Sequence, residues 1–314
     1  MSNSFNPLGI PHIRVKTGYP TSKAIIRHPD LIPYLKTRYP PRIDNENRDF
    51  LFRYNKYIAQ DLFGLNLQFA PSGIIPTPVL RYNFLKYALH PRDIPYSDKN
   101  LSNLKNTSNL ENTSNLENSE SNAGRSKIVL DIGTGASAIL ALLAAKCFNY
   151  RVYATEIDPE YISIAQKNIF NNSLQKKITL LPSSGGIIDS VIPSDLKIDY
   201  VISNPPYYNK ILSPKLIWGG KSHELISKGN AGEEFILHMI TEGWPHLKPG
   251  GILAFLIPKT RTDTLIAVEE FLKEGEYDYE IIGLLVGNRT RYVFRVFKEN
   301  AYIDETQMRS EMLD

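Results

Sequence analysis

The stretch 198–208 restricts the possible folds of this chain more than any other. It reads I-D-Y-V-I-S-N-P-P-Y-Y, an apolar run rich in β-branched residues that stops at Asn204. Two prolines follow, and proline continues neither a central strand nor a helix. Asn204, Pro205, Pro206 and Tyr207 are therefore expected at the carboxyl end of a buried strand, the edge of an open α/β sheet where ligands bind.

This tetrapeptide combines hydrogen-bond acceptors, an amide and an aromatic ring at one point. Because proline has no N–H group, the carbonyl groups around it have no neighbouring donor to compete for them. The combination suits a planar group that carries an NH2. Taken alone, the same residues fit a proline-rich exit from a strand equally well, so the neighbouring segments have to distinguish the two interpretations.

After Lys127 the sequence alternates between strand and helix patterns, as doubly wound α/β folds do. Only Asn288, Arg289 and Thr290 separate the last two predicted strands, which is too short for a crossover, so that pair must be antiparallel. The sequence thus predicts a seven-stranded, mainly parallel sheet that ends in an antiparallel hairpin. Strands are predicted at 128–133, 151–157, 178–182, 198–204, 250–258, 279–287 and 291–298, and helices at 136–148, 159–171, 231–246 and 262–274.

The first of these strands runs into a glycine-rich turn, D-I-G-T-G-A-S-A at 131–138. Gly133, Gly135 and Ala138 satisfy the dinucleotide fingerprint, which is a weak signal by itself. Asp131 adds information, because a carboxylate before the first glycine would repel a pyrophosphate and attract a cation. S-adenosylmethionine, which carries a sulfonium and an ammonium group, fits this turn better than a dinucleotide.

Two acidic residues mark the end of the second strand, Glu156 at its end and Asp158 two residues later. A carboxylate at the position of Glu156 accepts hydrogen bonds from both ribose hydroxyls in nucleotide sites, although it could instead cap the next helix. Asp158 suits the cap better, because Pro159 follows it and proline is favoured at the first helical position. We therefore assign Glu156 to the ribose and Asp158 to the cap.

The glycine turn, Glu156 and the tetrapeptide end the first, second and fourth strands and so reach the same sheet edge. The Asn204 side chain and the Pro205 carbonyl would accept the two N–H groups of an exocyclic amine, and Tyr207 would stack on the base. No strong general base is needed, because the sulfonium is already a good leaving group and positioning supplies most of the acceleration. These residues predict methyl transfer to an amino group.

The N-terminal segment is basic and rich in proline. Residues 1–42 hold seven basic residues, one acidic residue and seven prolines, so an extended arm with short turns is expected. Tyr19, Tyr34 and Tyr39 are interleaved with the basic residues, which fits a polyanion whose phosphates attract the charge and whose bases stack on the rings. A solvated, flexible terminus fits the composition equally well.

Two amphipathic helices are predicted after the arm, at 44–63 and 79–89, and Arg81 lies in the first turn of the second. Residues 99–124 repeat a six-residue, asparagine-rich unit with one leucine, which cannot build a core, so a disordered insertion is expected. The predicted domains are a basic arm with a helical RNA-binding extension (1–98), the insertion (99–124), a methyltransferase domain (125–300) and an acidic tail (301–314).

Composition argues against several classes of protein. No apolar run approaches the ~20 residues of a membrane helix, and the N-terminus lacks the layout of a signal peptide, so an intracellular protein without a membrane partner is expected. The single cysteine, Cys147, excludes an internal disulfide and a cysteine-based zinc site. Its apolar neighbours predict a buried thiol. No metal is expected, and a monomer is predicted.

Five further stretches have to be considered together: F-G-L-N-L at 63–67, I-P-T-P-V-L-R-Y-N-F at 75–84, D-I-G-T-G-A-S at 131–137, A-T-E-I-D at 154–158 and N-P-P-Y at 204–207. They resemble the methyltransferase-like sixteen family, which are adenine-N6 RNA methyltransferases acting on U6 small nuclear RNA, with bacterial relatives acting on 23S ribosomal RNA. N-P-P-Y is shared with DNA adenine and protein glutamine methyltransferases, whereas the segments at 63–67 and 75–84 are more specific. The resemblance implies a Rossmann-like class I methyltransferase that uses S-adenosylmethionine, acts on structured RNA, most of all U6 small nuclear RNA, and works in the nucleus or the cytoplasm.

The resemblance also implies that Arg81 holds the methionine carboxylate of the cofactor and that the arm helps to build a basic RNA groove. For Arg289 and Arg291, phosphate contact is only slightly favoured over exposed hairpin charge. The predicted site residues are Asn204, Pro205, Pro206 and Tyr207 for catalysis, Arg81, Asp131, Gly133, Gly135, Ser137, Glu156 and Asn204 for the cofactor, and Arg14, Lys16, Lys23, Arg27, Arg38, Arg289 and Arg291 for RNA.

The sequence departs from the family's larger animal members. P-S-S-G-G at 182–186 stands where those members carry a lysine, so a lysine that blocks the cofactor pocket is not expected, nor is their additional RNA-binding domain. A ribosomal RNA methyltransferase, a protein glutamine N5-methyltransferase and a non-catalytic RNA-binding subunit stay open as alternatives. A dehydrogenase is remote, because His223, His238 and His246 look scattered and none is placed to handle the proton of a hydride transfer.

Overall fold

The computed structural model describes residues 10–15, 19–44, 47–90, 126–210, 219–286 and 289–299. The predicted insertion and acidic tail lie outside these residues, as does Lys16, so the structure bears on none of the three. Within the described part of the chain, no helix is long and apolar enough to cross a membrane.

The N-terminal part is more regular than the extended arm that its prolines predict. It contains β1 (His12–Val15), α1 (Thr21–Arg27), a 3-10 helix (Pro29–Tyr34), a small hairpin of β2 (Leu35–Thr37) and β3 (Arg42–Ile43), and the helices α2 (Arg48–Phe63) and α3 (Pro78–Ala88). Ala24 and Leu31 are fully buried and Tyr19 is nearly so, all in the core that includes α2. Burial of these apolar groups explains why the segment folds against the domain.

The remaining elements alternate as the sequence predicts, and the fold class is confirmed as α/β with a mainly parallel sheet. They are β4 (Ile128–Ile132), α4 (Ile139–Cys147), β5 (Arg151–Glu156), α5 (Pro159–Asn171), β6 (Ile178–Pro182), β7 (Ile198–Ser203), α6 (Ser222–Leu225), α7 (Glu234–Gly243), β8 (Leu247–Pro258), α8 (Thr262–Glu274), β9 (Asp278–Val286) and β10 (Arg289–Phe297).

The main sheet has eight strands, in the order β1-β9-β10-β8-β7-β4-β5-β6. Strand β10 is antiparallel to both of its neighbours, and the other pairs are parallel. The prediction of seven strands missed β1, which pairs with β9 and covers an edge that would otherwise expose unpaired backbone groups. A four-residue strand between two prolines has too little periodicity to be recognised in advance.

The terminal hairpin is antiparallel, as predicted, but its link is shorter. Arg289 and Thr290 belong to β10, where they pair with Val286 and Leu285. Gly287 and Asn288, which join the strands, lie outside the described residues. A two-residue link is the commonest connection between antiparallel strands.

Alternating side chains of the sheet face two separate cores. Val129 packs with α2, α3 and α4 on one face, whereas Leu130 packs with α7 and α8 on the other. This arrangement covers both faces and leaves the carboxyl edge of the parallel strands for a ligand. Cys147, the last residue of α4, is exposed and not buried as predicted, because it follows the buried run at 139–145.

Candidate active site

The carboxyl ends of β4, β5 and β7 lie side by side. Ile132 is level with Thr155 on one side and with Ser203 on the other, and the Ser203 hydroxyl donates to the Ile132 carbonyl at 2.9 Å. Asp131, Glu156 and Asn204 each lie within one residue of this level. Three of the groups that the sequence predicts to act together therefore meet at one edge of the sheet.

The glycine turn makes a concave backbone surface at this edge. Gly133 and Gly135 have φ values of 65° and 69°, a region that favours glycine, and a Cβ built on either would meet no atom within 4 Å. The Gly135 amide donates to Glu156 Oε2 at 2.9 Å. Ala138 also has a positive φ, so α4 starts at Ile139, three residues later than predicted. The open space above the glycines is where a ligand would approach the backbone.

Asp131 supplies a buried acceptor beneath the turn. Its side chain is 1% exposed, and Oδ2 accepts from the Thr134 hydroxyl at 2.6 Å and from the Ala141 amide at 3.2 Å. Its other oxygen, Oδ1, has no hydrogen-bond partner. Burial and, to a smaller extent, repulsion from Glu156 raise the pKa of Asp131 to about 7, although the hydrogen bonds from Thr134 and Ala141 and the charge of Arg81 act in the opposite direction. A cation placed beside Oδ1 would satisfy the orphan acceptor and restore the ionised form.

Glu156 is engaged by backbone amides on both oxygens. Oε2 accepts from Gly135, and Oε1 accepts from Ile157 at 2.9 Å and from Asp158 at 3.0 Å. The carboxylate thus links the glycine turn to the end of β5. The contact of Glu156 with the ribose stays a prediction. The acceptor sites that the amides leave open limit how many hydroxyls this carboxylate can bind.

Two further predicted residues lie beside the turn. Asp158 caps α5, as predicted, because its Oδ1 accepts from the amides of Glu160 at 2.9 Å and Tyr161 at 3.2 Å. Ser137 is 8% exposed, and its hydroxyl has no partner among the described residues, although its carbonyl accepts from Asn168 at 3.3 Å. Ser137 is therefore placed at the turn with a free hydroxyl.

Arg81 enters the same site from the first turn of α3. It is half-buried, and no hydrogen bond or ion pair of its guanidinium occurs among the described residues. Burial and the charge of Arg291 lower the pKa of Arg81 to about 10, whereas Tyr207 and Asp131 act in the opposite direction. The side chain stays charged at neutral pH. It offers a cation near Asp131 and Tyr207 that suits a carboxylate of the ligand.

The asparagine-proline loop is held rigidly from one side. Pro205 and Pro206 are buried, and the amides of Tyr207 and Tyr208 both donate to the Leu225 carbonyl, at 3.3 Å and 2.9 Å. Tyr207 is half-buried, and its ring lies 4.8 Å from that of Tyr208. These contacts fix the backbone of the loop and leave the Tyr207 ring partly accessible.

A glycine keeps the backbone of the loop close to its neighbours. Gly232 has a φ of 77°, and a Cβ at this position would lie 2.6 Å from the Tyr207 carbonyl oxygen. The Thr264 hydroxyl, which donates to the Ala231 carbonyl at 2.5 Å, lies 3.3 Å from the same Tyr207 oxygen. Only glycine allows both the conformation and the approach.

Asn204 differs from the rest of the loop, because its side chain is not engaged. It is half-buried, and no group among the described residues bonds to its amide. Asn204 follows Ser203 directly, so the free amide stands at the sheet edge next to the glycine turn. A half-buried amide without a partner is available for a substrate.

A short segment missed by sequence reasoning closes the site on the Glu156 side. In α6, His223 Nε2 lies 3.9 Å from Glu156 Oε1 and His223 Nδ1 lies 4.0 Å from Asp158 Oδ2. Lys221 binds Asp158 at 2.6 Å and Glu160 at 2.8 Å. No motif marks this histidine, and only the fold brings it beside the second strand.

The predicted RNA-binding residues divide into two groups. Arg291 is half-buried at the hairpin and acts electrostatically on Arg81 and Tyr208, which puts it beside the site. Arg289 is exposed two residues earlier. Arg14, Lys23, Arg27 and Arg38 are exposed on the N-terminal part, and Arg27 pairs with Asp61 at 3.1 Å.

Comparison with known proteins decides the family. Residues 110–215 match a family described as RNA methyltransferase. A provisionally named methyltransferase of Methanocaldococcus jannaschii is 34% identical over 262 residues, which cover 82% of this chain and 89% of that protein. The chain belongs to the same methyltransferase family as this archaeal protein. A crystal structure of a methyltransferase from Pyrococcus furiosus agrees, with 31% identity, a TM-score of 0.60 and coverage of 81% of this chain and 99% of that one.

Other proteins that resemble this chain differ in their named substrates or ligands. The U6 small nuclear RNA (adenine-(43)-N(6))-methyltransferase of Schizosaccharomyces pombe is 26% identical and covers 80% of this chain, which spans only 61% of that protein. A release factor glutamine methyltransferase of Koribacter versatilis is 31% identical over 39% of this chain and 43% of its own length. The human METTL16 catalytic domain, solved with a MAT2A 3′UTR hairpin, shares the fold at 18% identity, with a TM-score of 0.68 and coverage of 90% and 91%.

The cofactor of this methyltransferase is S-adenosylmethionine, and the edge of the sheet fits it. Asp131 Oδ1 is a buried acceptor without a partner, Arg81 is a cation without a partner among the described residues, and the two glycines leave space above the backbone. These groups match the ammonium, the carboxylate and the body of the cofactor. When bound there, the cofactor supplies a methyl group on an electrophilic sulfonium.

Proposed function

We propose that this methyltransferase transfers a methyl group to N6 of an adenosine in structured RNA. The observation that carries the proposal is the amide of Asn204, half-buried and without a partner among the described residues, at the end of β7 next to the glycine turn. An amide oxygen there and the Pro205 carbonyl can accept the two N–H groups of an exocyclic amine. Ring nitrogens lack such a pair of N–H groups, so the arrangement selects an amino group.

The residues of the loop would act by positioning. Hydrogen bonds from the amine to Asn204 and Pro205 draw its lone pair out of the ring and aim it at the cofactor side of the site. Tyr207, whose backbone amide donates to the Leu225 carbonyl, would stack on the base and hold it in the plane that those bonds require. As the new nitrogen–carbon bond replaces the carbon–sulfur bond of the sulfonium, the amine becomes acidic and its proton passes to water, so no residue with an altered pKa is needed.

The partner is proposed to be RNA with a hairpin, and U6 small nuclear RNA is the leading candidate. Arg291 beside the site and Arg289 in the same strand offer charge for phosphates next to the extruded base. The S. pombe and human proteins compared above are named for U6 RNA or were solved with an RNA hairpin, which supports the choice. Action on U6 RNA would place the protein in the nucleus, and a ribosomal RNA would be the alternative.

The small hairpin of β2 and β3 is proposed as the outer RNA contact. Of the three tyrosines expected to stack on bases, Tyr19 is 2% exposed and Tyr34 lies under Arg53, whereas Tyr39 is 93% exposed. No ion pair of the basic side chains on this hairpin occurs among the described residues. Those side chains are Lys36, Arg38 and Arg42.

Replacing Tyr39 by alanine is expected to weaken RNA binding about tenfold, because stacking of one base on an aromatic ring is worth roughly 1–3 kcal/mol. Replacing Arg38 and Arg42 by alanine should lower the slope of log affinity against log salt by about one for each phosphate that the variant no longer neutralises. Fluorescence anisotropy with a U6-type hairpin at several salt concentrations measures both. Phe170→Ala, which removes a ring that is 67% exposed on α5, is the matched control.

Unchanged affinity of Tyr39→Ala would contradict a stacking role for the hairpin. Point variants are preferable to deletion of residues 1–42, because deletion also removes β1 and the buried Ala24 and Leu31.

A protein glutamine N5-methyltransferase is the second candidate. Glutamine carries an amide NH2 that the same acceptors would hold, and the relative from Koribacter versatilis has that activity in its name. Labelled S-adenosylmethionine offered separately with a U6-type hairpin and with a release factor distinguishes the two. We expect label in the RNA only, and label in the release factor alone would favour the glutamine substrate.

A further inference from the structure

The hydrogen bonds of Glu156 limit what this carboxylate can do for the cofactor. An ionised carboxylate has about four acceptor sites. Three are occupied by the amides of Gly135, Ile157 and Asp158, two on Oε1 and one on Oε2. One site remains on Oε2. Glu156 can therefore accept one ribose hydroxyl without losing a backbone bond, and the second hydroxyl needs another partner.

His223 has the properties that such a partner needs. Its Nε2 atom is buried and makes no hydrogen bond, and the nearest carboxylate oxygen, Glu156 Oε1, lies 3.9 Å away. This gap is too long for a direct hydrogen bond. Nε2 is therefore available to a ligand oxygen that lies beside Glu156.

The ring of His223 is held in place by groups around it. Tyr161 packs against it with ring centroids 5.4 Å apart, and the Tyr161 hydroxyl donates to Glu224 Oε2 at 2.6 Å. Asp158 lies 4.0 Å from Nδ1, and Lys221 neutralises Asp158. The helix that carries the ring is therefore tied to α5, so the ring cannot turn away from Glu156 at low cost.

We propose that His223 binds the ribose of S-adenosylmethionine, where its Nε2 takes the hydroxyl that Glu156 cannot. His223 is then a cofactor-binding residue and Glu156 a shared one, which contacts one hydroxyl and orders the glycine turn. This role of His223 concerns binding of the cofactor and not of the RNA. If the role is wrong, the proposed reaction on RNA is unaffected.

Calorimetric binding of S-adenosylhomocysteine and of its 2′-deoxy and 3′-deoxy analogues tests the assignment in the full chain. His223→Phe keeps a ring and removes both nitrogens, and it should bind S-adenosylhomocysteine about tenfold more weakly. One of the two deoxy analogues should bind wild type about tenfold more weakly than the parent ligand and bind His223→Phe no more weakly than the parent. His238→Phe, an exposed histidine on α7, is the matched control and should behave as wild type.

Two results would overturn the assignment. One is equal affinity of His223→Phe and wild type for S-adenosylhomocysteine. The other is a loss of affinity by the same factor for the parent ligand and for both analogues, since that pattern indicates a structural role. If His223→Phe does not fold, His223→Gln replaces it. Binding of S-adenosylhomocysteine that still discriminates against one of the two deoxy analogues supports the assignment. Equal binding of the parent ligand and both analogues contradicts it.

Discussion

Replacing Asn204 by alanine is expected to lower the rate of methyl transfer at least about 100-fold, because misplacing a reacting group by about 1 Å costs that much. Asn204 directly follows β7 and has a side chain that no described residue engages, so the substitution breaks no hydrogen bond among the described residues. Affinity for S-adenosylhomocysteine should change less than the rate does. Single-turnover transfer to a U6-type hairpin and calorimetry of the cofactor product measure the two effects.

The matched control is Asn171→Ala, which removes an exposed amide at the end of α5. It should methylate at the wild-type rate. Wild-type transfer by Asn204→Ala would show that the free amide does not hold the substrate amine. A loss of cofactor affinity as large as the loss of rate would move Asn204 from the substrate to the cofactor.

Cofactor binding is expected to depend on pH through Asp131. Burial raises the pKa of this carboxyl to about 7, and the ammonium of S-adenosylmethionine requires the ionised form beside Oδ1. Binding below that pH must displace a proton. Affinity should therefore rise by up to about tenfold per pH unit between pH 5.5 and 7, where the ammonium itself stays protonated.

Asp131→Asn keeps acceptors for Thr134 and Ala141 and removes the titration. It should bind S-adenosylmethionine about 100-fold more weakly at pH 7, in line with loss of a charged hydrogen bond, and show no such slope. Asp195→Asn, at an exposed aspartate, is the control. A wild-type affinity that is flat from pH 5.5 to 7, or an equal slope in Asp131→Asn, would contradict the assigned role.

The same titration affects stability in the opposite direction. Because the folded-state pKa of Asp131 is raised above the usual 3.8, the folded protein without cofactor holds a proton that the unfolded chain has released. Its contribution to the free energy of unfolding is fully present below about pH 4 and is lost as the pH rises to about 7. The buried carboxyl therefore adds less to stability at neutral pH than in acid, and at neutral pH it provides an ionisable acceptor for the cofactor.

Much of the site at the carboxyl edge of the sheet can be predicted from local sequence patterns. Strand lengths, the glycine turn and the cap at Asp158 are set by residues within a few positions of each other, so chain order alone places Asp131, Glu156 and Asn204 together. The number of backbone amides that donate to Glu156 cannot be predicted in this way. It depends on which amides the turn aims at the carboxylate, and that is a property of the folded backbone.

The N-terminal part and α6 show where local patterns fail. Proline-rich sequence predicts an extended arm, yet β1 gains its place by pairing with β9, more than 260 residues away along the chain. His223 lies on a four-residue helix with no periodicity of its own, and it reaches Glu156 because Lys221 and Glu224 tie that helix to α5 and its neighbours. Contacts between distant segments decide both positions.

Analysis of the methylated nucleoside tests the central claim most directly. A U6-type hairpin is incubated with the protein and S-adenosylmethionine, digested to nucleosides and examined by chromatography with mass spectrometry. We expect N6-methyladenosine with the wild-type protein and with Asn171→Ala, and none with Asn204→Ala. Methylation of another nucleoside, or no methylation of RNA under conditions in which the protein methylates a release factor, would contradict the account.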